Sequence, residues 1–256
     1  MIYSIVMKNI IEVKNFQMRF GDKQVIRDLS FEIHRGETFG FLGSNGSGKT
    51  TTLRALLGLY QPTAGELLIG GRSFSSDSSI RLGYLPEERG LYKKETPLDQ
   101  MIYFGVLKGL SRADAKAKSL KYLERVGLSN HANTRLDKLS GGQQQKVQLG
   151  ITIINDPELL ILDEPTKGFD PVNRRLLMEI IREHQARGAT IVMITHQMDE
   201  VEKICDRILL LKDGQAAAYG TLASVKKQFG GKMSLDDIFV KVYSDENDES
   251  EEENDA

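Results

Sequence analysis

"FGFLGSNGSGKTTTLRALLG", Phe39 to Gly58, passes from an apolar run through a glycine-rich loop into a helix-forming segment. The loop, Gly43 to Thr50, fills the pattern G-x-x-x-x-G-K-[ST] completely. Gly43, Gly46 and Gly48 let the backbone curl so that successive N–H groups meet one anion, and the helix behind them adds the positive end of its dipole. In such a loop Ser44, Asn45 and Ser47 complete the wall, Lys49 reaches the β- and γ-phosphates, and the Thr50 hydroxyl ligates Mg2+. Thr51 adds a hydroxyl near the α-phosphate. The strand-like run before the loop and the helix after it separate this stretch from a glycine-rich turn arising by chance. It reads as a nucleotide site.

Outward from the loop, short apolar runs recur between turn residues: "IIEV" near Ile10, "LLILD" ending at Asp163, "TIVMIT" ending at Thr195 and "RILLLKDG" ending at Gly214. Doubly apolar strands alternating with helices predict an α/β fold with a mainly parallel sheet covered on both faces. "DPVNRRLLMEIIREHQARG" carries Asp170 as N-cap, Pro171 in the first turn, Leu176, Leu177, Ile180 and Ile181 on one face, and Gly188 as terminator. Between about Glu95 and Asn155 no strand pattern occurs. There "PLDQMIYFGVLKG" puts Leu98, Ile102 and Val106 on one helical face, and "SRADAKAKSLKYLERVG" opens on the capping pair Ser111 and Asp114 and repeats Ala117, Leu120 and Leu123. The expected organisation is an ATPase domain over 8–228, with its core in 8–94 and 156–228 and an inserted all-helical subdomain over 95–155. A C-terminal extension, 229–243, and a disordered acidic tail, 244–256, follow.

Composition narrows the class. A hydrophobic fraction of 40% and a charged fraction of 27% are ordinary for a globular chain. No apolar run approaches a membrane span, and the opening "MIYSIVMKN" has neither the basic region nor the cleavage site of a secretory signal. The lone Cys205 excludes an internal disulfide and fits a reducing compartment. The tail "SDENDESEEENDA" carries eight acids and no base, so without it the 36 acids fall to 28 against 34 bases. It has nothing apolar to bury. The mildly basic remainder does not by itself indicate nucleic acid.

Two further constellations carry chemistry. The strand "LLILD" delivers Asp163 to the edge where ligands bind in open α/β sheets, suited to the Mg2+ shell, and Glu164 follows as general base or orienter of the attacking water. His196 ends another buried strand on the same edge, where it suits the γ-phosphate or the water. "DKLSGGQQQKV", Asp137 to Val147, is a second phosphate grip, with adjacent glycines opening a helix. One chain with two grips raises the question of what the second one holds.

From about Ile10 to Gly220 the chain resembles the ATP-binding-cassette (ABC) ATPases. The motifs that carry the resemblance stand in the family's order: Gly43–Thr50, "LSGGQ" at Leu139–Gln143, "LLILDEP" at Leu159–Pro165, "GFD" at Gly168–Asp170 and "TH" at Thr195–His196. The resemblance implies a P-loop NTPase core with an antiparallel β region near the N-terminus, and it implies an ATPase using ATP and Mg2+. It also answers the question of the second grip. Leu139, Ser140, Gly141, Gly142 and Gln143 would hold the nucleotide of a second cassette in a head-to-tail dimer, with Asp170 lining the interface.

Where many relatives stack a tyrosine on adenine, this chain offers Phe20, with a buried core phenylalanine as the plain alternative. In "GYLPEERGLY", Gly83 to Tyr92, Glu87 stands where relatives commonly carry a glutamine that reaches Mg2+ and links core to helical subdomain, with Glu88 as fallback. Leu91, Tyr92, Met101 and Tyr103 are candidates for contact with a membrane partner. "PEERGLY" and "SLDDIFVKVY" resemble the branch of single cassettes that pair with separate transmembrane permease subunits, mainly for export. The expected place is then peripheral, on the cytoplasmic face of the cell membrane, as a homodimer with ATP. Alternatives are an importer cassette, a soluble ABC ATPase acting on DNA or ribosomes, and a binding module without turnover. No long heptad segment, zinc-binding cysteine set or second cassette is present to support a nucleic-acid role.

Overall fold

The computed structural model describes residues 8–73, 80–88 and 90–252, with side chains described as far as Ser244. The chain divides into two compact units, one formed by the residues up to Ile80 and from Val192 onward, the other by Arg81–Ile191.

In the first unit β1 (Asn9–Phe20), β2 (Lys23–His34) and β4 (Ala64–Ile69) form an antiparallel sheet in the order β2-β1-β4. Alternation does the work here: Ile11, Val13, Phe16 and Met18 of β1 and Ile26, Leu29, Phe31 and Ile33 of β2 are buried. β3 (Thr38–Gly43) is different, because all six of its residues are buried. It pairs in parallel with β8 (Arg207–Lys212), which pairs antiparallel with β9 (Gln215–Thr221). Within β3 a side chain at Gly40 would meet Ile208 and Val201 at 3.0 Å, so glycine permits the close approach. The ladder places Gly43 opposite Leu211, and α1 (Lys49–Leu56) starts six residues after the end of β3. This unit also holds α6 (Met198–Ile204), α7 (Leu222–Gln228) and α8 (Leu235–Glu252).

In the second unit β5 (Leu82–Leu85) pairs in parallel with β6 (Leu159–Asp163). Between them the described elements are helical: α2 (Pro97–Leu107), α3 (Arg112–Arg125), two short 3-10 turns and α4 (Gly141–Ile153); α5 (Pro171–Ala186) follows β6. The caps read from the sequence are present, since Ser111 accepts from the Asp114 N–H and Asp170 from the N–H groups of Val172 and Asn173. β7 (Thr190–Ile194), fully buried, is where the chain passes from this unit to the other.

Two helix faces differ from the sequence reading. α2 buries Gln100, Met101, Ile102 and Gly105, leaving Val106 exposed, and α3 buries Ala115, Ser119 and Leu123, leaving Leu120 exposed. Small residues decide the crossing: a Cβ on Gly105 would stand 2.8 Å from that of Ala115. The helices approach through their smallest side chains, which a search for large apolar residues overlooks. Lys108 bonds the Ile151 and Thr152 carbonyls at the end of α4, at 2.8 and 2.9 Å, and its burial pulls its pKa down to about 8.

At the C-terminus α8 runs to Glu252. Residues 253–256 of the acidic tail lie outside the described residues, as do the first seven. Among the described residues no helix is long and apolar enough to cross a membrane.

Gly150 is the tightest point of the helical region. A Cβ there would stand 2.4 Å from the Tyr122 ring and 2.8 Å from the Met101 methyl, and the ring is fixed by its hydroxyl bond to the Lys146 carbonyl at 2.7 Å. Gly150→Ala is expected to cost about 1–3 kcal/mol through overpacking. An unchanged midpoint in urea unfolding would show that the ring is free to move.

Candidate functional site

In the first unit, β3 and β8 hold the root of the glycine loop. Gly43 cannot carry a side chain, because its Cβ would meet the Ser47 Oγ at 2.5 Å and the Leu211 carbonyl at 2.7 Å. Gly46 and Gly48 have φ of 84° and 109°, which turns the loop back on itself before α1. Lys49 folds over this turn, its ammonium 2.7 Å from the Gly43 carbonyl and 2.8 Å from that of Ser44. The loop's carbonyls thus face the cation. α1 begins at Gly48 with no side-chain cap and no acid in its first turn. That is the state of a helix N-terminus built to receive an external anion. The Ser47 hydroxyl is buried without a hydrogen-bond partner among the described residues, which fits an oxygen supplied from outside. The loop therefore fits a nucleotide's phosphates.

Two bonds anchor the loop from outside. Ser47 accepts from the Gly214 N–H at 3.1 Å, and the Ser44 N–H donates to the Tyr243 hydroxyl at 3.0 Å. The Ser44 amide is therefore taken by its own chain. Phe20, at the end of β1, is 45% exposed, which removes the buried-core alternative. It stands edge-on to Tyr60 at 5.3 Å. His196, exposed, follows β7, with the Gln197 amide 3.3 Å from its Nε2, and α6 starts two residues later.

In the second unit, Asp163 ends β6 and is buried, and Glu164 takes a left-handed φ of 48°. Such a conformation in a non-glycine residue costs about 1–3 kcal/mol and concentrates at functional sites. The chain then turns twice, with Lys167 N–H donating to the Glu164 carbonyl and Phe169 N–H to that of Thr166. Lys167 ends 2.6 Å from the Glu87 carboxylate, whose hydrogen bond and charge raise the ammonium's pKa. The carboxylate expected at the metal here meets a cation of its own unit. α4 steadies the same loop, since Gln148 donates to the Pro86 and Glu88 carbonyls and Thr152 to that of Tyr84.

The second grip caps itself. Ser140 Oγ accepts from the Gln143 N–H at 3.3 Å, while the Gln143 side chain accepts from the Ser140 N–H at 2.8 Å. Leu139 is buried, and Gly141, Gly142 and Gln143 are half-exposed. The Phe169 ring stands 3.8 Å from where a Gly142 Cβ would be. Asp170 spends both carboxylate oxygens on the start of α5.

Lys167, Gln148 and Tyr243 are the contributors that the sequence reading missed. Glu87 was a signal for the first, because a carboxylate in a place usually neutral asks for a cation. Gln148 and Tyr243 have no local signal; the tyrosine meets its partner 199 residues away.

Residues 26–167 match the family model described as ABC transporter. The chain belongs to the ABC transporter ATP-binding proteins. An uncharacterized ABC transporter ATP-binding protein of Methanocaldococcus jannaschii is 43% identical over 90% of this chain and 84% of its own length. The Nod factor export ATP-binding protein I of Burkholderia lata is 40% identical over 82% of this chain and 70% of its own. A solved dimeric ATP-binding cassette, in a post-hydrolysis state with ADP and Pi, has the same fold with a TM-score of 0.74 at 25% identity, covering 83% of this chain and 98% of that one. This cassette is the ATP-binding, ATP-hydrolysing subunit of an ABC transporter, with export-type relatives.

Gly48 tests the loop directly. Its φ of 109° strains any other residue, so Gly48→Ala is expected to lower ATP affinity at least tenfold in a fluorescent-nucleotide titration. Wild-type affinity would place the nucleotide elsewhere.

Proposed function

We propose that this cassette drives export through separate transmembrane permease subunits, as a homodimer that closes on two ATP molecules at the cytoplasmic face of the membrane. The observation that carries the nucleotide part is the uncapped start of α1 beneath Lys49 and the Ser47 hydroxyl, which has no partner among the described residues. In this reading the side chains of Gly43–Thr51 and their backbone, the Ser44 amide excepted, cradle the phosphates, and Phe20 stacks on adenine. Thr50 and Asp163 would hold the metal, with Glu87 of the coupling loop, balanced by Lys167, as the further carboxylate for it. Mg2+ supplies neutralisation of the β- and γ-phosphate charge. Glu164 orients and deprotonates the attacking water, and His196 holds the γ-phosphate side. Leu139–Gln143 meet the partner cassette's nucleotide. Asp170, occupied with its own helix, acts by fixing the Gly168–Asp170 loop at the interface.

The permease part rests on the helical unit. A cavity of about 680 Å3 is lined by Tyr92, Glu95, Asp99, Ile102, Tyr103 and Val106, among others. Tyr92 and Tyr103 are exposed, with Tyr92 stacked parallel on Phe104 at 6.2 Å. An aromatic floor with a charged rim suits a short helical segment of a membrane partner. Met101, considered for this contact, is fully buried and belongs to the core. Export is supported by the Nod factor export relative and by the likeness of "PEERGLY" and "SLDDIFVKVY" to the export branch.

Glu164→Gln is expected to bind ATP with near-normal affinity, to hydrolyse it at least a hundredfold more slowly, and to dimerise only with ATP. Light scattering that finds this variant monomeric at saturating ATP would sink the sandwich for the isolated subunit. For the permease, affinity purification of the tagged chain from detergent-solubilised membranes is expected to recover a multi-helix membrane protein. Recovery should drop with the Tyr92→Ala, Tyr103→Ala double variant while its basal ATPase persists. Undiminished recovery would move the docking site off this cavity.

A further inference from the structure

Tyr243 lies on α8, one residue before the acidic stretch, in a part of the chain outside the matched family model. Its hydroxyl accepts the Ser44 N–H at 3.0 Å and donates to the Leu211 carbonyl. These two groups are the roots of the nucleotide loop, since Leu211 is the residue paired with Gly43 across β3 and β8. The phenol is held from its other sides as well. Its ring packs on Phe239 at 4.6 Å, and the Lys212 ammonium lies 6.0 Å over it while donating to the Val242 carbonyl at 2.8 Å. The base of α8 is equally fixed. Leu235 and Ile238 are buried, and the Leu235 N–H donates to Glu202 of α6, 2.6 Å away, a carboxylate that also pairs with Lys226 at 2.9 Å.

We propose that Tyr243 is a positioning residue for ATP, holding the start of the phosphate loop in its binding shape through the Ser44 amide. The Ser44 N–H does not serve the phosphates in this arrangement, and an amide denied a partner costs free energy. A tethered loop has less freedom to lose when ATP enters. Such a gain falls equally on ground state and transition state, so it sets KM and leaves kcat alone. The inference rests on the reading of Gly43–Thr51 as the ATP cradle, for which Lys49→Ala, expected to abolish turnover, is the separate control.

The test is steady-state ATPase kinetics on the full chain. Tyr243→Phe keeps the ring and is expected to raise the KM for ATP roughly fivefold, the worth of one hydrogen bond, with kcat within about twofold of wild type. A wild-type KM for Tyr243→Phe, whatever its melting temperature, would reduce the tyrosine to packing. Normal turnover in Lys49→Ala would overturn the cradle reading itself.

Discussion

Backbone N–H groups that are to meet a phosphate must not be bonded to the protein, yet donors left without partners in a folded chain are costly. Much of the first unit is arranged around that conflict. Gly46 and Gly48 take backbone angles that aim the turn outward, α1 starts without a cap, and the carbonyls of Gly43 and Ser44 turn inward onto Lys49. The loop does not collapse because its flanks are pinned elsewhere. Gly43 is locked into the β3–β8 ladder, the Gly214 N–H holds the Ser47 carbonyl, and Tyr243 holds the Ser44 amide. What remains unbonded is what an incoming polyphosphate can use.

The second grip resolves the same conflict in the opposite way. At Ser140–Gln143 the helix start satisfies itself through a reciprocal capping box, and Gln144 ties it to the Leu136 and Leu139 carbonyls. In the proposed dimer this grip awaits a nucleotide carried by another subunit and stands empty until one arrives. Self-capping keeps the start of α4 stable in that interval, while the half-exposed glycines leave room for close backbone approach. The two glycine-rich stretches therefore look alike in composition and differ in how their donors are held.

Composition and spacing made the loop, the carboxylates at the end of β6 and the Asp170 cap legible, because each depends on residues close together in the chain. The α2 and α3 faces were read wrongly, since Val106 and Leu120 outrank Gly105 and Ala115 in apolarity but not in fitting a close crossing. The strained Glu164 leaves no mark in sequence, because its φ is imposed by the turns that follow it. Tyr243 was invisible for a simpler reason. A contact between residues 44 and 243 is a fact of the fold, and neither residue's neighbours announce it.

Charge explains the departure at Glu87. Asp163 and Glu164 already place two carboxylates at the end of β6, and a third carboxylate in the loop after β5 would add repulsion that a glutamine does not bring. Lys167 stands in the turn directly after those acids and takes the Glu87 charge, so the pair together is neutral. Both side chains are well exposed, so the pair does little to hold the fold. Its consequence is local. The loop after β5 becomes tied to the loop after β6 by a bond that salt weakens and that a nearby dication or phosphate can compete for.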